Sequence, residues 1–434
     1  MTAKKFITTI KQIPVGQGGF LIGQIEDEHS RIFTYAFDCG SINREHFEQG
    51  LKMCSLQKID ILFVSHLDVD HVSGIDALAA QVQIDMVVLP CLDALHLTMI
   101  ACEAAGNSTL RLSTQSFLTD PFGWLVDRGV KEIIQVQRAD DTLNVIPYEP
   151  DPEGQPDSII VPVPEGGDPS RPYTIRSEMV EEAKSVRSGA GTVRTLGEHT
   201  SISVEVKGKS IPSWLLVPYV HPFPKEAIAS FRRAVGKQFP HTFAGRSLAS
   251  KAFTKKLIQL LSDKASCEEL KACYSIISRD HNKISLSLYS GPQAHKNNLK
   301  ISRTNKNFDW PFPKPYQIIH SEDTLIRKNG GAWICTGDAN LNQRGTRSAW
   351  LKRFGKLLKN VDVFILPHHG SNDSIHDEVI KKLNNSEMIV CAAAGREKHP
   401  HNLLLGRLRS YESSLWHVSE NPESGFTLKV SFSV

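Results

Sequence analysis

At 434 residues the chain is long enough to bury a large core and to hold more than one structural unit. Its hydrophobic fraction of 40% and charged fraction of 22% are those of an ordinary globular protein, and a formal net charge of +3 leaves attraction to nucleic acid to local patches. Eight scattered cysteines without a CxxC pair exclude a disulfide scaffold, and no apolar run reaches the ~20 residues that span a bilayer.

The N-terminal segment carries charge but no continuous apolar h-region, so a soluble, cytoplasmic protein with reduced thiols and no membrane partner is expected. The first ninety residues read as short strands with tight turns. Phe6–Ile13 and Gly19–Ile25 flank a Val15-Gly16-Gln17-Gly18 turn, and Arg31–Asp38 is a strand stopped by Cys39-Gly40-Ser41. Arg44–Met53 has helical spacing. Ile59–Ser65 is a continuous apolar run, as expected of a strand buried on both faces, and Met86–Pro90 resembles a neighbour to it. Thr109–Arg128 is read as helical, Val130–Val136 and Trp214–Pro218 as strands, and the Pro- and Gly-rich stretch 146–173 as an exposed loop. Residues 224–276 read as helix-rich, with Ser266-x-x-Glu269 as a capping box. Strand character returns at Lys283–Tyr289, Ala332–Thr336, Val361–Leu366, Met388–Ala393 and Gly425–Val434.

The chemistry sits at strand ends. Ser65-His66-Leu67-Asp68-Val69-Asp70-His71 follows one apolar run directly, so its imidazoles and carboxylates can converge on a cation without burying an unpaired charge. Trp333-Ile334-Cys335-Thr336-Gly337-Asp338 ends a second run in Gly-Asp. Val363–Leu366 is followed by Pro367-His368-His369-Gly370-Ser371, and Ala392–Arg396 leads to His399-Pro400-His401. Each unit alone is equally well a solvated loop; four repeats of one design in one chain point to a metal site.

This order, HxDxDH, then TGD, then HHGS, then HP, resembles the metallo-β-lactamase superfamily. The nearest variant is the soluble nuclease-like domain of competence DNA-uptake channels (ComEC-type). The Val15–Gly18 turn, Phe37-Asp38-Cys39-Gly40 and Asn282-Lys283-Ile284-Ser285-Leu286 fit the same variant. The resemblance covers about residues 6–90 and 277–430. It implies an α/β fold, an αββα sandwich: a first core half over 1–90, a large partly helical insertion over 91–276 and a second core half over 277–434. The insertion is a possible docking surface for protein partners.

By motif, the resemblance makes Asp70 and His71 ligands of one metal and His66 and Asp68 part of a neighbouring position. Asp338 would bridge the two, and His399 would be the late histidine ligand. His368 and His369 fall where related tRNA-processing enzymes keep a histidine that assists the leaving group, and the sequence does not choose between them. Asp70 shares the catalytic assignment with that pair. Asp68 replaces the usual second histidine, and His281, His199 and Asn282 compete for a mid-domain ligand position. More oxygen donors shift preference from zinc towards manganese or magnesium. The activity implied is metal-assisted hydrolysis by one or two divalent ions, most naturally of phosphodiester bonds in DNA or RNA. Stand-alone members of the branch occur in bacterial anti-phage defence clusters. A small-molecule ester or lactone hydrolase and a non-hydrolytic assembly module remain alternatives, since fold does not fix function.

Several residues have two readings. Asp38 either orients the HxDxDH loop or caps a turn, Ser371 either binds phosphate or closes a turn, and Cys39 and His221 are read as buried packing residues. A basic helix over Asn342–Lys359 is read first as a solvated face and second as a nucleic-acid contact. The segment 294–316 interleaves Lys300, Arg303 and Lys306 with aromatics and is read first as a surface hairpin with solvated charges over tucked aromatics and second as a loop that guides a single strand towards the metals. With Asn282 and Ser285, these three cations form the expected substrate-binding set.

Overall fold

Strand 58–63 shows in miniature how this sequence layers itself. In the computed structural model its alternate side chains Ile61 and Phe63 enter a core between two sheets, while Leu62 and Val64 enter a second core beneath helices. A strand buried on both faces needs apolar residues at successive positions, which is what the run supplies. The structure describes residues 5–27, 30–92, 116–117, 120–138, 171–177, 184–186, 189–207, 213–221, 225–240, 259–260, 263–275, 285–293, 302–305 and 330–433.

The first part of the chain supplies β1 (Lys5–Gln12), β2 (Gly18–Asp27), β3 (Arg31–Ser41), β4 (Lys58–Phe63) and β5 (Gln83–Pro90). The middle supplies β6 (Glu132–Val136), β7 (Tyr173–Arg176), β8 (Lys184–Val186), β9 (Gly191–Leu196), β10 (Ile202–Val206) and β11 (Trp214–Val220). The remainder supplies β12 (Leu286–Pro292), β13 (Ser302–Asn305), β14 (Ala332–Cys335), β15 (Val361–Ile365), β16 (Glu387–Cys391), β17 (Leu415–Val418) and β18 (Phe426–Ser433). Among the described residues, one sheet runs β13-β18-β1-β2-β3-β4-β5-β6-β9-β8 and the other β17-β16-β15-β14-β12-β11-β10-β7. Strands β3 to β6 and β9 are mutually parallel, as are β14 to β17.

The sheets face each other. Phe33, Tyr35, Phe37, Ile61, Phe63 and Val88 of the first share one core with Trp214, Leu288, Trp333, Val363 and Ile365 of the second. Each such side chain contributes about 1.5–3 kcal/mol on burial. Trp333 Nε1 donates to the Tyr35 hydroxyl (2.8 Å), and that hydroxyl meets Ser290 Oγ at 2.7 Å, so the buried polar atoms there are paired.

Helices cover the outer faces. α1 (Arg44–Lys52), α2 (Val69–Val72), α3 (Ile75–Ala79) and α4 (Pro121–Val126) lie on the first sheet, with Phe47, Leu51, Leu78 and Trp124 packed inward. α5 (Lys225–Gln238) and α6 (Lys264–Ser275) contact each other. α7 (Arg344–Phe354), α8 (Asp377–Lys382) and α9 (Asn402–Ser410) cover the second sheet through Trp350, Phe354, Val379, Ile380, Leu404 and Leu408.

The middle of the chain, expected as a partly helical insertion, also carries strands. Between residues 91 and 276 it adds β6, β8 and β9 to the first sheet and β7, β10 and β11 to the second. The alternating patterns of β9 (GTVRTL) and β10 (ISVEV) are short and polar on one side, so they extend sheets already nucleated by longer apolar strands. The expected capping box is also corrected. Asp263, just ahead of α6, accepts from the Ser266 backbone N–H (2.8 Å) and from Ser266 Oγ (2.7 Å), so the aspartate is the cap and Ser266 lies inside the helix. Of the helix expected at Thr109–Arg128, the structure shows Pro121–Val126, capped by Asp120 (3.0 Å to Gly123 N), while residues 93–115 lie outside the described residues.

Candidate metal centre

Parallel strands leave their C-terminal ends on one edge, where loops can bring polar groups together over an apolar base. Here β4 delivers Ser65 and His66, β14 delivers Gly337 and Asp338, β15 delivers His368 and His369, and the loop after β16 delivers His399. The backbone is bent to do this. Asp38 (φ 57°), Gly337 (φ 54°), His368 (φ 48°), His369 (φ 52°) and Gly370 (φ 76°) all adopt the left-handed region. For the histidines that region costs about 1–2 kcal/mol each, so the surrounding contacts must hold it. Ser371 N–H closes the turn on the His368 carbonyl (2.9 Å), and Arg407 clamps the next segment through Asn372 O (3.2 Å) and Ile375 O (2.8 Å).

Two groups of side chains converge closely enough to hold a metal: His66, His71 and Asp338, and Asp70, His71 and His369, with donor atoms within 4.8 Å of one another in each. Asp338 stands between histidines. Its Oδ1 lies 3.4 Å from His71 Nε2 and its Oδ2 3.7 Å from His66 Nε2, one oxygen towards each ring. Asp68 Oδ2 lies 3.3 Å from His66 Nε2, and Asp70 Oδ2 3.0 Å from His369 Nε2.

The far nitrogens of these rings are already engaged. His71 Nδ1 meets Asp38 Oδ2 at 2.8 Å. His369 Nδ1 donates to the Cys391 carbonyl (2.7 Å) and His399 Nδ1 to the His368 carbonyl (3.1 Å), since a carbonyl can only accept. His66 Nδ1 lies 2.9 Å from Ser65 Oγ, and Ser65 Oγ in turn donates to Asp38 Oδ2 at 2.8 Å. With Nδ1 tied, Nε2 is the nitrogen left to offer a lone pair to a cation once its proton is displaced, the arrangement by which proteins orient metal-ligating imidazoles. His66 Nε2 and His71 Nε2 are buried and have no hydrogen-bond partner, a costly condition that a cation between the rings and carboxylates would relieve.

Electrostatics show the same convergence. Burial disfavours a charged His71, but Asp38, Asp70 and Asp338 outweigh it and hold its pKa well above the ordinary value. Burial, opposed by the carboxylates, leaves His66 and His369 raised as well. Burial works to raise Asp70 and Asp338, yet the histidines around them hold both below the ordinary carboxylate range. His368 differs: burial keeps it below the usual histidine value, and burial followed by His368 and His369 brings His399 down to about 4.

The expected residues divide accordingly. His66, Asp68, Asp70, His71 and Asp338 come together, and His369 joins them beside Asp70. His399 stands outside both groups, its ring 5.0 Å from His368 and 6.0 Å from His369. His368 is part-exposed, with Nε2 3.8 Å from Asp338 Oδ2 and Nδ1 3.3 Å from Ser374 Oγ. Ser285, expected among substrate-binding residues, is buried; its Oγ accepts from the Asp338 N–H (3.0 Å) and lies 3.4 Å from His66 Nδ1. Arg303 lies in β13, its backbone paired with Val430 of β18. Asn282, Lys300, Lys306 and His281 lie outside the described residues. His199 pairs with Glu198 at 2.8 Å, and His221 Nε2 meets Ser287 Oγ at 2.9 Å. Cys39 packs in the core under the helices, where burial pushes its thiol well up.

Sequence reading passed over Ser65 as a linking residue and gave no sign of the Cys391 carbonyl tether. Ser65 immediately precedes the HxDxDH segment, so its place was visible; the tether is a backbone group and has no residue signature. Comparison with protein-family models and with curated proteins finds no match to this chain.

Proposed function

We propose that this protein is a metallo-β-lactamase-fold hydrolase of the competence-channel branch that cleaves phosphodiester bonds in nucleic acid, using one or two divalent ions. The observation that carries the reading is the pair of buried, unpartnered Nε2 atoms of His66 and His71 facing the two oxygens of Asp338. The four-layer packing and the order of the ligand segments along the chain support the same family.

His66 and Asp68 would hold one ion and Asp70, His71 and His369 its neighbour, with Asp338 shared. When bound, such an ion would supply an activated water near neutral pH and polarisation of the scissile phosphorus–oxygen bond. Asp38 fixes the His71 ring and, through Ser65, the His66 ring. Ser285 fixes the Asp338 backbone. His368 keeps solvent access at the rim, within reach of a leaving oxygen; burial lowers its pKa, so the charge of a bound phosphodiester would have to raise it again before the imidazole could give that oxygen a proton, a role worth about 10²–10⁴-fold. The mixed nitrogen and oxygen donors, with Asp68 in place of a histidine, favour manganese over zinc.

Metal-stripped protein reloaded with manganese or zinc, then offered single- and double-stranded DNA and RNA and bis(p-nitrophenyl) phosphate, tests the proposal. Hydrolysis that requires the ion and is faster with manganese is expected. Full metal occupancy without cleavage of any phosphodiester would sink it.

A further inference from the structure

The segment between Ala339 and Val361 holds six cations (Arg344, Arg347, Lys352, Arg353, Lys356 and Lys359) and no carboxylate. The protein itself uses two of them. Arg347 pairs with Glu378 (3.0 Å) and donates to the Asn342 carbonyl (2.8 Å), and Arg353 donates to the carbonyls of His199 and Thr200 (2.9 Å each). These contacts fasten α7 to its neighbours. Arg344, Lys352, Lys356 and Lys359 are exposed and make no ion pair among the described residues.

Helix geometry sorts the two sets. Trp350 and Phe354 bury one face of α7 against the second sheet. Residues 344, 348 and 352 recur at four-residue steps on the opposite face, and all three are exposed. Lys356 and Lys359 follow just past the helix end and are exposed as well. At 1.5 Å per residue the helical part of the row spans about 12 Å. Helix stability does not account for it. Lys352 sits in the last turn, where a cation suits the helix dipole, but Arg344 opens the first turn, where it opposes the dipole and no acidic residue offsets it. In the chain the row follows the candidate metal centre directly, with only Ala339–Gln343 between Asp338 and Arg344.

We infer that this outer face of α7 binds the phosphate backbone of a nucleic acid, gripping it without reading its sequence while a neighbouring phosphodiester meets the metal centre. A row of exposed cations that make no ion pair among the described residues, in a segment without a carboxylate, matches a regularly charged polyanion better than an acidic protein patch, whose charges have no fixed repeat. The inference names the substrate grip for the proposed nuclease reading and rests on it for the second clause only.

The experiment measures binding of a fluorescein-labelled single-stranded DNA and of its duplex by anisotropy, in EDTA, over a series of salt concentrations. Arg344→Gln/Lys352→Gln/Lys356→Gln is compared with the parent and with Lys52→Gln/Lys207→Gln/Lys237→Gln, an equal loss of charge at exposed positions elsewhere. The α7 variant is expected to bind at least tenfold more weakly at low salt and to flatten the plot of log affinity against log salt by about 2–3, as three fewer cations release fewer counterions. The control set is expected to change affinity less than threefold. Parental binding by the α7 variant, or an equal loss in the control set, overturns the inference, and so does loss of binding to an acidic peptide without loss of binding to DNA. Thermal unfolding shows that each variant is folded. Hydrolysis of bis(p-nitrophenyl) phosphate is read separately: its absence in the parent defeats the nuclease reading, while weakened DNA binding by the α7 variant still upholds this surface.

Discussion

Asp38 shows how much of the site depends on one buried side chain. It is buried, accepts from the Ser65 N–H (2.7 Å) and Ser65 Oγ (2.8 Å), and meets His71 Nδ1 at 2.8 Å. Asp38→Asn should therefore leave the ligands in place but misorient two of them, weakening metal affinity by about 10–100-fold; titration of the stripped variant checks this. The paired histidines are separable too. His369→Ala removes a ring held between Asp70 and the Cys391 carbonyl and should empty the site, whereas His368→Ala should lower turnover by about 10²-fold or more with metal content nearly unchanged. Metal analysis beside a rate assay decides; equal metal loss in both variants would make His368 a ligand. Proton competition sets the pH dependence. His66, His71 and His369 have raised pKa values without metal, so an entering ion must displace their protons, and affinity should climb as pH rises and level off above those raised values. A competition titration between about pH 5.5 and 8.5 that stayed flat would contradict it. In the metal-free protein, stability from the raised histidines is present below their unfolded pKa and is lost as pH rises through the folded one. That from the depressed Asp70 and Asp338 is present above the unfolded carboxylate pKa and is lost as pH falls through the folded value.

At the scale of elements, close backbone approach positions α2. A Cβ on Gly40 would fall 2.7 Å from the carbonyl carbon of His71 and from Val72 N, backbone atoms that cannot rotate away. Gly40→Ala should cost about 1–3 kcal/mol of stability and push α2, with Asp70 and His71, off its seat. Thermal unfolding and metal titration would show both effects, and a variant with parental values would remove the constraint. The ligand motif this element carries was plain in the sequence, because His66, Asp68, Asp70 and His71 follow an apolar run long enough to be a buried strand, but the segment reads as a short loop and its helical turn over Val69–Val72 was not foreseen. Strands β14, β15 and β16 were legible for the same reason. Strands β7 to β10 were not, since each is short, half-polar and stable only as an addition to an existing sheet edge. The choice between His368 and His369 was hidden in adjacent identical letters; it took a left-handed turn to send one ring inward and leave the other at the rim.

At the scale of the molecule, the site belongs to both sheets. Metal that binds only the folded protein stabilises it by about 2.7 kcal/mol at a hundredfold excess over Kd, so manganese should raise the unfolding midpoint of the parent and leave that of Asp338→Ala unmoved. Calorimetry with and without the ion tests this, and an equal rise in both would place the binding elsewhere. The two sheets also meet directly at this edge: the Leu286 N–H donates to the Ser65 carbonyl at 2.8 Å, and Arg138 bridges to Val220. Ser65 and Leu286 are separated by most of the chain, and so are Asp70 and His369. During synthesis, a nascent chain that has not yet emitted β14 and β15 displays His66, Asp68, Asp70 and His71 without Asp338 or His369. Closing so long a loop precedes any reward from the contacts it makes, which places assembly of the cluster late in folding. The cluster that the proposed hydrolysis needs is thus absent from the half-made molecule and forms only when both sheets have joined.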